Sequence, residues 1–231
     1  SEETKEFFDF MMENQLLDVF GRKSKAVGGY MTYLPDYHAP FVFANFNGTS
    51  GDVDVITHEC GHAFQGYLSA KDPIREHADI GMETAEIHSM SMEFFTEPWY
   101  GLFFEGKTAD DYKEMHLEDA AVWKELEQIY KPHQDYGALA FYAKGCYWQR
   151  QHHIYSYPFY YIDYVIAQLC AFEYKNKMDE DYKEAWQSYL KLCRLSASDY
   201  FENLLKAAGI RSPFEEGCMK EIVDKLKKKI N

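Results

Sequence analysis

Asp52-Val53-Asp54-Val55-Ile56-Thr57-His58-Glu59-Cys60-Gly61-His62-Ala63-Phe64 is the stretch on which the reading of this chain turns. His58 and His62 stand four residues apart, so on a helix they share one face and can grip a single metal ion. Glu59 then points beside that ion, where a carboxylate can take the proton from a zinc-bound water. The pattern points to a zinc hydrolase, a peptidase before any other, provided that a helix, a third ligand and a groove surround it. The helix is expected from about residue 53 to 70, opened by the turn Asn47-Gly-Thr-Ser-Gly51 and capped by Asp52.

Working outward toward the amino terminus, Phe7, Met11, Asn14 and Leu17 fall at roughly helical spacing, which predicts an amphipathic helix over 4–20 ending near Gly21. Residues 30–34 and 41–46 are short and rich in aromatic and β-branched side chains, and predict two strands. Toward the carboxyl terminus almost only helices are expected: 82–105, broken near Pro98, then 110–130, 134–156, 158–177, 179–194, 198–208 and 213–229. The last opens on Ser212-Pro213-Phe214-Glu215, a serine cap with proline in the first turn and a returning glutamate. The expected fold is mainly α and multi-helical, with a small β-sheet just before the metal helix.

Composition narrows the partners. With 231 residues and 46% hydrophobic content the chain can bury an ordinary core. Its formal charge of −14, from 38 acidic and 24 basic residues, disfavours a phosphate-binding surface and therefore nucleic acid. The five cysteines are scattered without a C-x-x-C pair, which fits reduced thiols and a cytoplasmic protein. No apolar run approaches a membrane span.

Zinc needs a third protein ligand. A longer H-E-x-x-H-x-x-G-x-x-H pattern is missing, since Gln65 and Leu68 stand where its glycine and last histidine belong. The next helix carries Glu83, Glu86 and Glu93 roughly along one face, with Glu86 central. Glutamates on a helix ordinarily mark its wet side. Here Ser89, Met90 and Met92 mix polar and apolar residues all round, so the helix reads as buried, and buried carboxylates need a metal or histidine partner. A carboxylate from this helix would complete a His2Glu site, with Glu83 or Glu93 holding the histidine N–H groups; His88 is a further candidate if the helix is rotated. Cys60 reads as packing.

Three segments together resemble the catalytic, carboxyl-terminal region of the oligoendopeptidase F and thimet oligopeptidase family of zinc peptidases. They are His58-Glu-Cys-Gly-His62, Glu86-Ile-His-Ser-Met-Ser-Met-Glu93, and the histidine- and tyrosine-rich run from Gln151 to Tyr164. The resemblance implies a zincin-like peptidase domain that holds one zinc on His58, His62 and Glu86, with Glu59 as general base and Glu93 and Glu83 in support. It further implies a substrate segment in which His153, rather than His152, acts with Tyr161 and Tyr164 as oxyanion or substrate donors. Residues 152–164 contain no glycine, unlike the glycine-rich closing loop of the thimet branch. Phe41-Val-Phe-Ala-Asn-Phe46 is expected to offer an edge strand to a peptide, whose backbone Ala44 or Asn45 would hold.

The expectation is one catalytic domain over 1–231, part of a longer protein, with helix and sheet in 1–52, metal helices in 53–105 and a helical subdomain in 106–231. Its substrates would be short peptides, with neither nucleic acid nor membrane as partner. The missing half, or a second copy, would form the other wall of a channel. Two other readings stand beside endopeptidase. A metallocarboxypeptidase needs a basic pocket, which Arg75, Arg150 and Arg194 are too scattered in sequence to decide. An inactive zinc-bearing peptide-binding fragment is the other, if the missing half forms the second wall of the channel; the intact Glu59 argues against loss of function in the longer protein only.

Overall fold

The computed structural model describes residues 1–104 and 160–230. The helices expected over 110–130 and 134–156, with His152 and His153, lie outside the described residues. The first helix, α1 (Glu2–Glu13), starts on a capping box in which Ser1 Oγ accepts from the Thr4 amide at 3.2 Å. It buries Phe7 and Met11 but stops well short of the expected residue 20. Gln15 takes a left-handed φ of 55°, which turns the chain so that β1 (Leu17–Asp18) joins a sheet.

That sheet has the order β1-β3-β2, where β2 is Tyr30–Leu34 and β3 is Ala39–Phe43. β1 runs parallel to β3 and β2 antiparallel to it. β3 is therefore the central strand, which overturns the expectation of an edge there. The chain beyond it is also taken, since the Ala44 amide donates to Asp18 O and the Phe46 amide to Val19 O, both at 3.0 Å. Ala44 is fully buried, and the Asn45 side chain donates to Lys25 O at 3.4 Å. Ala44, whose amide is taken by β1, does not stand on an open edge. A two-residue strand such as β1 leaves almost no periodicity in the sequence, so its claim on β3 could not be read there.

The helix that carries His58 and His62, α2 (Gly51–Ser69), begins slightly earlier than expected, and Asp52 does not cap it. Its carboxylate instead accepts from the amides of Asn47, at 3.1 and 3.0 Å, and Gly48, at 2.7 Å, and so fixes the turn that precedes the helix. α3 (Met82–Thr96) crosses α2 and is buried on most of its circumference, as its mixed faces predicted. It ends before Pro98, and a 3-10 turn over Glu97–Leu102 replaces the rest of the expected helix.

The crossing depends on Gly61. A Cβ built there would lie 2.6 Å from Ser89 Cα and 2.7 Å from His88 O, both backbone atoms, so only a glycine lets the two helices touch. Gly61→Ala is expected to cost about 1–3 kcal/mol through forced separation of the helices, read in urea unfolding of the metal-free protein. An unchanged unfolding midpoint would mean that α2 and α3 part without cost.

Behind α3 lies α4 (Tyr161–Leu195), a single run with a kink at Asp181, where φ is −153° and ψ is 100°. Asp181 Oδ1 accepts from the Glu184 amide at 3.0 Å, so it caps a second helix at the junction foreseen between 177 and 179. Phe64 of α2 stacks on Trp186, and Phe95 of α3 meets the same indole edge-on at 5.1 Å. Each such buried ring contributes about 1.5–3 kcal/mol. Tyr189 donates to His88 O at 2.8 Å and locks α4 to α3. α5 (Phe201–Ala208) and α6 (Cys218–Ile230) complete the described chain. α6 starts five residues later than its serine cap suggested. Ser212 Oγ accepts from the Phe214 amide at 3.2 Å, but Gly217 has a φ of 80°, so Pro213–Glu216 form a separate turn.

Candidate metal centre

One turn of α2 separates His58 from His62, whose rings meet edge-on with centroids 5.0 Å apart. From α3 the Glu86 carboxylate reaches between them, its Oε2 lying 3.3 Å from His58 Nε2 and 3.5 Å from His62 Nε2. One donor atom from each of the three lies within 4.8 Å of the others, and among the described residues this is the one cluster able to hold a metal. Gly61 is the reason they meet, since it permits the close crossing that brings α3 to the face of the imidazoles.

The nearby groups prepare those atoms. His58 Nδ1 lies 2.6 Å from Glu93 Oε1, and with Nδ1–H donating there, Nε2 keeps its lone pair for a metal. Glu83 stands apart: its carboxylate folds back on the first turn of α3 beside Gly81, near Asp163, and contacts neither histidine. Burial opposes charge on His58, but Glu86 and Glu93 outweigh it and push the imidazole up to about 10. Burial would likewise raise Glu86, yet the hydrogen bonds and charges of His58 and His62 hold it well below the usual carboxylate range. A carboxylate only 2% exposed and kept anionic between two imidazoles is suited to a bound cation.

Glu59 is 8% exposed, and burial raises its carboxyl against the pull of the two histidines. Beside it runs the chain leading into β2: a Cβ on Gly29 would lie 3.6 Å from Glu59 Oε1 and 2.6 Å from Val55 Cγ1. β2 is an edge of the described sheet, so the strand beside the carboxylate is Tyr30–Leu34 rather than the stretch ending in Ala44 and Asn45. Gly28-Gly29 before an aromatic strand was the available sequence signal for a close approach of backbone.

Of the tyrosines, Tyr164 lies near the cluster and Tyr161 packs edge-on against it with centroids 6.1 Å apart. The sequence reading missed Tyr160. Its hydroxyl donates to Glu86 Oε1 and lies 2.7 Å from the Tyr164 hydroxyl. Tyr160 has helical backbone angles, so Tyr160 and Tyr164 occupy i and i+4 on one face while Tyr161 points about 100° away. His88 lies outside the cluster; burial pushes its ring down to about 3, leaving it a neutral core group. Burial also pushes the Cys60 thiol up to about 12, consistent with packing rather than ligation.

Residues 4–113 match the family model for peptidase family M3. The chain belongs to the catalytic region of that family. A solved PZ peptidase A with an inhibitor is 45% identical, with a TM-score of 0.93 over 100% of this chain and 46% of its own. A structure described as an oligoendopeptidase F from Bacillus anthracis is 44% identical, with a TM-score of 0.82 over 100% of this chain and 43% of its own. The chain thus spans just under half the length of these relatives. No curated protein matches it. As an M3 catalytic region it combines the mainly helical fold with a small sheet ahead of α2. None of its described helices is long and apolar enough to cross a membrane.

Proposed function

We propose that the chain is a zinc-dependent metalloendopeptidase acting on short peptides. The convergence of His58, His62 and Glu86 beside the buried Glu59 carries this reading. Two imidazoles and one carboxylate suit zinc's preference for a nitrogen and oxygen set with room for a further ligand. When bound there, zinc supplies a Lewis acid that polarises a carbonyl and acidifies water.

Glu59 takes the proton of the attacking water and returns it to the leaving amine, and its burial moves it toward the working range of a general base. Glu93 holds His58 by its Nδ1–H and keeps the imidazole from turning. His153, Tyr161 and Tyr164 are proposed as donors to the carbonyl oxygen as it becomes negative. An extended peptide adds along the edge strand β2, which Gly29 lets approach α2 beside Glu59. The remaining half of a longer protein, or a second copy, would form the opposite wall.

The protein is expected to hold one zinc per chain and to cleave an internally quenched peptide, losing cleavage with a chelator and regaining it with zinc. A chain that takes up no zinc, or whose cleavage ignores the chelator, overturns the reading.

Filling the site should also move a proton. His58 must give up the proton that Glu86 and Glu93 stabilise up to about 10 in the metal-free protein. Calorimetry in buffers of different ionisation enthalpy should show release of about one proton at pH 8, and weaker zinc binding as pH falls. In the metal-free protein the sign reverses. The raised His58 contributes stability that is complete below its ordinary value of 6.5 and is lost as pH rises toward about 10. Zinc binding without proton release would mean that His58 is already neutral.

A further inference from the structure

The two oxygens of Glu86 are held differently. Oε2 faces His58 and His62 and accepts from Ser89 Oγ at 3.0 Å, whereas Oε1 accepts from the Tyr160 hydroxyl. A phenol has one proton to give, and a carboxylate is a stronger acceptor than another phenol. Tyr160 therefore donates to Glu86, and the Tyr164 hydroxyl lies 2.7 Å from the same phenol oxygen. The two rings lie with centroids 4.9 Å apart, one helical turn from each other, so the start of α4 carries the pair as a unit.

We propose that Tyr160 is a positioning residue of the metal site: its hydroxyl holds Glu86 Oε1 and leaves Oε2 as the oxygen that would face a metal, and the Tyr164 hydroxyl beside it helps to keep that hydroxyl in place. The inference rests on the zinc reading above. Its physical ground is the terminal torsion of a glutamate, which is broad and roughly two-fold, so an untethered carboxylate can turn or offer both oxygens. A ligand that offers both would fill a coordination position that hydrolysis needs for water. Ser89 limits motion only on the Oε2 side. Tyr160 supplies the second tether from a different helix, which converts the docking of α4 on α3 into a fixed carboxylate.

The test is zinc affinity by chelator competition, with cobalt(II) absorption in the zinc position as a report on the ligand set and thermal unfolding of the metal-free protein as a control for folding. Tyr160→Phe keeps the half-buried ring and removes only the hydroxyl. It should lower zinc affinity by about 10–100-fold, the range for losing a group that orients a ligand, and alter the cobalt spectrum. Tyr164→Phe should lower affinity by a smaller factor, and Tyr161→Phe, which does not touch Glu86, should leave it at the parent value. A Tyr160→Phe protein with parental affinity and cobalt spectrum overturns the proposal. If that variant fails to fold, Tyr164→Phe decides in its place, parental affinity again counting against it. A parent that binds no zinc removes the metal reading itself, whereas a parent that binds zinc beside an unaffected Tyr160→Phe removes this inference alone.

Discussion

Glu59→Gln is expected to retain one zinc per chain and to lose about 10²–10⁴-fold in kcat, the contribution of a positioned general base. The amide keeps the size of the carboxylate but cannot accept a proton. Since Glu59 is not one of the three clustered residues, metal content should not change. The loss should fall on kcat and kcat/KM together, because the residue acts on the reacting water and not on peptide binding. Metal analysis and steady-state cleavage of one quenched peptide decide the matter. Activity within a few-fold of the parent would assign the base elsewhere.

Glu86→Ala is expected to fail earlier, at metal binding. Groups that merely orient a ligand already account for about 10–100-fold in affinity, and removal of the ligand itself should exceed that. The variant also strips His58 and His62 of the carboxylate they share and removes the Glu86 acceptor of the Tyr160 hydroxyl. In the metal-free protein His58 should then titrate below its present position near 10, with Glu93 as its remaining partner. Chelator competition measures the first effect and NMR titration of the imidazole the second. Parental zinc affinity would show that Glu86 is a buried counter-ion and not a ligand.

These two residues were legible in the sequence for different reasons. Glu59 follows from local spacing alone, since any helix through His58 and His62 places it beside them. Glu86 needed an argument about burial, because a glutamate on a mixed helix must answer to a positive partner. Glu83 satisfied the same spacing and yet folds onto its own first turn, where solvent and the helix N-terminus suffice for a carboxylate. Tyr160 was passed over for Tyr161, although i and i+4 spacing to Tyr164 was present. The missing element was the start of α4, which decides which tyrosine of the adjacent pair turns inward.

What the sequence determined by itself was local and periodic: α2 with both imidazoles on one face, the burial of α3, the break at Pro98 and the junction near Asp181. Hydrophobic period, caps and proline act over a turn or two, so they survive without knowledge of the fold. Tertiary structure decided the order of the sheet, the early end of α1 and the approach of Tyr160 to Glu86. Each of these depends on a partner distant in sequence. Strand order is set by which backbone edge arrives to complete the hydrogen bonds, and β1 arrives with only two residues. The cluster of His58, His62 and Glu86 belongs to both: helical spacing placed the side chains on their faces, and the contact of Gly61 with the α3 backbone brought those faces together.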